Sequence, residues 1–163
     1  ILDFDVHHGN GVADILADEP RARYCSTHER GGFPRTGLDE ADRGGARNIL
    51  NLPLSGGSDG DEYLRRLEED ALPFLLGDGG DADAAWAPDV LLICAGYDGL
   101  EADGLAGLRL SPADFGATMR LIVERFGWPR ERIALGLEGG YELDDEVGMP
   151  AALVETCRAP FSE

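Results

Sequence analysis

The sequence predicts an α/β fold built on a mainly parallel sheet. Short apolar runs alternate with helical patterns along the chain. "DVLLICAG" is a continuous apolar run of the kind found in parallel strands covered on both faces, and "RIALGLEGGY" reads as another buried strand. Chemically unusual residues gather where three of these strands end, which is where open α/β sheets place their ligands.

In chain order, "ILDFDV" reads as a strand and "GNGVADILADE" as a turn into a short helix. "ARYCSTH" is a second strand, followed by a long Gly- and charge-rich loop from Glu29 to Arg47. Loops of that length are often functional. "NILNLPL" is a third strand. In "DEYLRRLEEDALPFLL", Tyr63, Leu64, Leu67, Ala71, Leu72 and Leu75 fall at helical spacing, which predicts an amphipathic helix. "GDGGDADAA" is a flexible connector; it has calcium-loop composition without the regular repeat or terminal Glu of such a site. After the "DVLLICAG" strand, "SPADFGATMRLIVERFG" begins with a Ser N-cap and a Pro and ends on Gly, as helices do. "RIALGLEGGY" then runs into glycines, and "DEVGMPAALVETC" is a last helix, interrupted or restarted near Pro150.

The 163 residues suffice for one domain with a real core. Against 14 Lys and Arg stand 32 Asp and Glu, a net charge of −18, which excludes the clustered basic surface that direct nucleic-acid binding needs. No apolar run approaches the roughly 18 residues of a membrane span. Cys25, Cys94 and Cys157 form no C-x-x-C pair, so they read as free thiols in a reducing compartment.

The opening "ILDFDVHHGNG" sets Asp3, Asp5, His7 and His8 in a segment that is otherwise strand-like and apolar. Such groups are costly to bury unless paired or bound to metal. In an extended strand residues 3, 5 and 7 share a face. Asp5 and His7 can therefore reach one metal ion, with Asp103 arriving from the loop after the fourth strand. Two carboxylates and an imidazole leave room for water or substrate, the form catalytic zinc takes, though Fe(II), Co and Mn also suit these ligands. Tyr141, after Gly139 and Gly140, can place a phenol against the oxygen of a carbonyl on which charge develops.

"DFDVHHGNG", "YCSTHERGGFPRTG", "LNLPLSGGSDGDEYL", "PDVLLICAGYDGLEADGLAGLRLS" and "LEGGYEL" follow one another as in the histone deacetylase family, which includes the acetylpolyamine amidohydrolases and acetoin-utilisation proteins. The chain resembles that family over nearly its whole length, in tone closest to the class II and bacterial-type members. The resemblance implies a three-layer α/β/α arginase–deacetylase fold, with residues 1–163 as an N-terminally truncated, C-terminal portion of the catalytic domain. It implies zinc on Asp5, His7 and Asp103, with Tyr141 as the catalytic hydrogen-bond donor. It implies potassium nearby, on main-chain oxygens of Asp3, Asp5 and His7 with Ser26 and Thr27. Phe33 matches an aromatic lining the acyl-lysine tunnel; Asp3, His8 and Asn10 match positions behind the site.

The substrate that follows is an acetyl-lysine of a histone or other protein. A small acetyl-amine such as an acetylpolyamine, or a catalytically dead metal-binding interaction domain, are the alternatives. The expected setting is intracellular, in nucleus or cytoplasm, with an organelle open. The sequence departs from the family at Gly32, where an aromatic is usual, at Arg35, where Gly is usual, and at Ala102 and Gly104, where Gly and Pro are usual. A wider or differently charged tunnel mouth follows. Family members also carry a His-His pair ahead of the first motif, one of which takes the proton of the attacking water. Without that base, the chain alone is expected to be impaired.

Overall fold

A computed structural model describes residues 1–78, 86–127 and 130–159. Most of the acidic connector at 77–85 lies outside them. The five strands are β1 (Leu2–Asp3), β2 (Tyr24–Glu29), β3 (Ile49–Leu54), β4 (Leu91–Ala95) and β5 (Ile133–Leu137). They form one wholly parallel sheet in the order β3-β2-β1-β4-β5. The first strand spans only Leu2–Asp3, shorter than the predicted "ILDFDV", because the chain bends at residues 5–7.

The helices are α1 (Asn10–Leu16), α2 (Gly60–Arg66), α3 (Leu72–Leu76), α4 (Pro112–Phe126) and α5 (Met149–Arg158). A π turn at Leu67–Ala71 joins α2 to α3, so the single helix expected over this stretch is one rod with a widened middle. Of its predicted apolar positions, Tyr63, Leu67, Ala71, Leu72 and Leu75 are buried and Leu64 is partly buried. At the start of α4, the Asp114 carboxylate accepts from the Ser111 N–H and hydroxyl, both at 2.7 Å. This closes the reciprocal cap that the Ser-Pro start foretold. Pro150 sits in the first turn of α5, where its missing N–H costs nothing. One apolar cluster unites Leu2, Phe4, Val6, Leu52, Tyr63, Leu67, Ile93, Tyr97, Phe115 and Ile122.

Two strand readings need correction. β4 is not covered on both faces: Leu91, Ile93 and Ala95 are buried, while Val90 and Leu92 are about half exposed. β5 is not a buried strand. Its Leu135 and Leu137 are 41% and 61% exposed, so their face of the sheet is left open among the described residues. β2 and β3, by contrast, are buried almost throughout. None of the described helices is long and apolar enough to cross a membrane.

Asn48, just ahead of β3, ties down the connection from α1 to β2. Its buried side-chain NH2 donates to the carbonyls of Leu16, Glu19 and Ala22 at 2.7, 2.9 and 2.9 Å. With two hydrogens and three acceptors, one hydrogen is shared. Asn48→Ala is expected to lower stability by about 1–3 kcal/mol through unsatisfied carbonyls. Asn48→Asp should cost more, because a carboxylate would face three oxygens. Denaturant titration of the two variants checks the order.

Candidate functional site

The strand ends of β1, β4 and β5 meet, and there the structure gathers Asp5, His7 and Asp98. One ligand-type atom from each lies within 4.8 Å of the others; among the described residues no other group of His, Cys, Asp and Glu does so. His7 Nδ1 stands 2.9 Å from Asp5 Oδ1 and 3.0 Å from Asp98 Oδ2.

Asp98, and not Asp103, is the second carboxylate of this group. It follows β4 by three residues, still beside the end of β1, and its Oδ1 accepts from the Val6 N–H at 2.9 Å. Asp103 lies beyond a chain reversal in which Leu100 N–H bonds to Tyr97 O and Asp103 N–H to Leu100 O. Its carboxylate reaches the loop after β5 instead, accepting from the N–H groups of Tyr141 and Glu142 at 2.6 and 2.9 Å. Asp98 had not been singled out by the sequence, and Asp103 Oδ1 is, like Asp98 Oδ2, buried without a partner.

The environment of the cluster fits a cation. The Asp98 side chain is fully buried, and its Oδ2 has no hydrogen-bond partner despite the nearby imidazole. Burial, then the charge of Asp5, pushes the Asp98 carboxyl up to about 6. A buried carboxylate oxygen left without a donor is costly. Asp103 Oδ1 is likewise buried without a partner, and a divalent ion held at Asp5 and His7 would satisfy such an oxygen. Oxygen and nitrogen donors in this number suit such an ion with open positions.

Glycines let the carboxylates pack this closely. A Cβ on Gly96 would collide with Asp5 Oδ2, and one on Gly139 with Asp98 Oδ2. The Gly139 N–H instead donates to Asp5 Oδ2 at 2.9 Å.

Asp3 is buried one layer below. Its carboxylate accepts from the Tyr24 hydroxyl at 2.6 Å and the Asp5 N–H at 3.1 Å. Asp3 faces Ser26 across the β1–β2 pairing, and the Thr27 hydroxyl donates to Asp3 O at 3.3 Å. His8 does not join the cluster: its Nδ1 is 2.8 Å from the Thr36 hydroxyl, and its ring lies 4.7 Å from that of His28. Burial lowers the basicity of both rings, His28 to about 4. His28 had not been singled out by the sequence. Asn10 is exposed at the start of α1. Phe33 is 78% exposed, with its ring edge-on to His7 at 6.3 Å. Arg35, in the position where the resemblance expects Gly, has φ of 67°. Tyr141 is 65% exposed, on the loop whose Gly139 binds Asp5.

With this geometry in place, the comparisons with known proteins are direct. The family model described as "Histone deacetylase domain" matches residues 1–156. The chain belongs to the histone deacetylase family, and its fold is the α/β arginase–deacetylase fold. It is 40% identical over 158 residues to "Uncharacterized protein slr0245" of Synechocystis, covering 97% of this chain and 47% of that protein. It is 35% identical over 168 residues to "Histone deacetylase 10, chloroplastic" of Oryza sativa subsp. japonica, covering all of this chain and 35% of that protein. The solved HDA15 HD domain superposes with a TM-score of 0.82 at 27% identity, over 98% of this chain and 43% of that one. The chain thus spans less than half the length of these relatives.

Burial raises the Asp3 carboxyl from 3.8 to about 7, while the Tyr24 hydroxyl pulls the other way. Between those values the folded state holds a proton that the unfolded state has lost. The contribution of Asp3 to stability therefore declines as pH rises from about 4 to about 7. Tyr24→Phe removes a donor that favours the charged carboxylate. In metal-free protein it is expected to cost about 1–3 kcal/mol above pH 7, and less at pH 5. Denaturant titrations at the two pH values check this.

Proposed function

We propose that this chain forms the metal-holding part of a zinc-dependent amidohydrolase that removes acetyl groups from acetyl-lysine in histones or other proteins. One observation carries the reading. Asp5 and His7 converge beside Asp98, and Asp103, with one oxygen buried and unpartnered, joins the loop that carries Tyr141. Family membership supports the reaction class.

Asp5, His7 and Asp103 are the residues that would hold the zinc ion, with Asp98 buried against His7 beside them. When bound, it would supply Lewis acidity toward an amide carbonyl and a water molecule. The protein supplies the rest. Gly139 keeps Asp5 in place through its N–H, and Val6 does the same for Asp98. Tyr141 donates its phenolic hydrogen to the oxygen on which charge develops as the carbonyl is attacked. Phe33 lines the approach for the lysine stem, consistent with its ring standing edge-on to His7. A histidine of the pair that the family carries ahead of this motif takes the water's proton. Acetate and a free amine are the products.

We assign potassium to the main-chain oxygens of Asp3, Asp5 and His7 with Ser26 and Thr27. The Asp3–Ser26 pairing and the Thr27 bond to Asp3 O support that grouping.

The test uses the protein that contains this chain, assayed on an acetyl-lysine peptide and on acetylputrescine. About one equivalent of zinc is expected, lost in Asp103→Ala. Tyr141→Phe should retain the zinc and lose turnover by about 10²–10³-fold, the usual effect of removing one oxyanion donor. Preference for acetylputrescine would shift the substrate to small acetyl-amines. Zinc retained in full by Asp103→Ala would overturn the ligand set, and unchanged turnover in Tyr141→Phe would overturn the role of the phenol. Potassium should raise the Tm relative to a large organic cation at equal ionic strength, since a bound ion favours the native state.

A further inference from the structure

The side chain of Glu29, at the end of β2, lies where three loops meet. Its Oε1 accepts from the N–H of Gly107, 78 residues further along the chain, at 2.8 Å. Gly107 O in turn accepts from the Gly57 N–H at 2.7 Å. Two bonds thus join the loops that follow β2, β3 and β4. The packing leaves no room for a side chain on the partners: a Cβ on Gly107 would lie 2.6 Å from Glu29 Oε1, and one on Gly56 3.2 Å from it.

The main chain of Glu29 reaches toward the site. Its N–H donates to the carbonyl of Val6, between Asp5 and His7, at 2.8 Å. Its own carbonyl accepts from the Gly32 N–H at 3.2 Å, and Gly32 O accepts from the Arg35 N–H at 2.7 Å. Phe33 stands on the turn that these two bonds close. Gly32 is a position where the sequence departs from its family, and a Cβ there would meet Glu29 O at 3.3 Å and Glu29 Oε2 at 3.5 Å. The Glu29 side chain therefore packs directly against the turn while its other oxygen holds Gly107, four residues past Asp103. Phe33 itself is 78% exposed, so its place is set by its main chain and not by packing of its ring.

We propose that Glu29 is a positioning residue for the substrate approach. It fixes the turn that carries Phe33 against the loop that follows Asp103, and so sets the width of the entrance. The inference rests on the role of Phe33 given under the proposed function. In physical terms, a charge-assisted bond to a main-chain N–H is stronger than a neutral one, and such a tie keeps two loops from opening locally. A substrate stem then meets walls already in place, and less ordering opposes its binding. That gain is the same in ground and transition states, so its loss belongs in KM and not in kcat.

The test takes the zinc-loaded protein that contains this chain, with Glu29→Ala, Glu29→Gln, Phe33→Ala and the double variant Glu29→Ala/Phe33→Ala. Zinc content, circular dichroism, kcat and KM on an acetyl-lysine peptide, and hydrogen exchange over residues 104–110 are measured for each. Glu29→Ala should keep its zinc and hold kcat within about threefold, while KM rises about 5- to 10-fold. Its exchange over residues 104–110 should quicken about tenfold, as a tie between loops is lost. Glu29→Gln, which keeps an acceptor for the Gly107 N–H without the charge, should recover most of both effects. In the Phe33→Ala background, Glu29→Ala should raise KM by less than about twofold more, because the wall it positions is already gone. If Glu29→Ala fails to fold, Glu29→Asp, one methylene short of Gly107, takes its place in the single and double variants.

Unchanged KM in the folded Glu29 variant would overturn the proposal, even beside quickened exchange. So would an equal effect with and without the Phe33 ring, or no recovery in Glu29→Gln, which would make the charge itself the agent. Zinc lost from a folded Glu29 variant would move its effect to the metal centre and overturn the proposal as well. A parent protein that turns over neither an acetyl-lysine peptide nor acetylputrescine would instead overturn the underlying reading of the site, and the proposal with it.

Discussion

The site depends on carboxylates that grip main-chain N–H groups across loops. Asp3 takes the N–H of Asp5, Asp5 those of His7 and Gly139, and Asp98 that of Val6. Asp103 takes those of Tyr141 and Glu142. Each bond lets an acid sit at a strand end in a chain of net charge −18 without facing its neighbours unscreened. Together they join the ends of β1, β4 and β5 into one unit, although β1 contributes only two residues of regular strand. The acidity of this region is therefore architectural as well as chemical. The same groups that would draw a cation also hold the loops in register.

The apolar sheet floor makes this possible. Leu2 pairs in register with Cys25 on one side and Ile93 on the other, so β1 is clamped between two longer strands. Beyond it, Phe4 and Val6 remain in the core and alternate with Asp5 and His7, which turn toward the site. A period-two pattern thus continues past the end of the regular strand. Phe4, Tyr97 and Phe115 meet edge-on or tilted at 5.0–5.8 Å, which anchors the Tyr97-Asp98 corner beneath the site.

Much of this could be read from residues alone. The alternation of strands and helices gave the parallel α/β sheet, and the dense opening motif picked out Asp5 and His7. The rest depended on information that sequence spacing does not hold. Asp98 and Asp103 occupy the same loop, and only the path of the chain through Leu100 and Leu110 shows which reaches His7 and which turns to Tyr141. The same limit applied to β4 and β5. An unbroken apolar run says that a strand is hydrophobic, but Leu92, Leu135 and Leu137 show that it does not say which face is covered. The π turn at Leu67–Ala71 was hidden for a related reason: its residues keep nearly helical spacing, so periodicity alone cannot register one widened turn.

Gly96 and Gly139 also bear on how such a protein diverges. Each lies flush against a carboxylate of the cluster, so neither can acquire a side chain without moving that acid. Evolutionary variation is thereby closed off at the floor of the site. Phe33 and Arg35, by contrast, are exposed on the loop between β2 and β3. On the proposed reading, change of substrate would fall to such exposed positions while the glycine-lined floor is inherited intact.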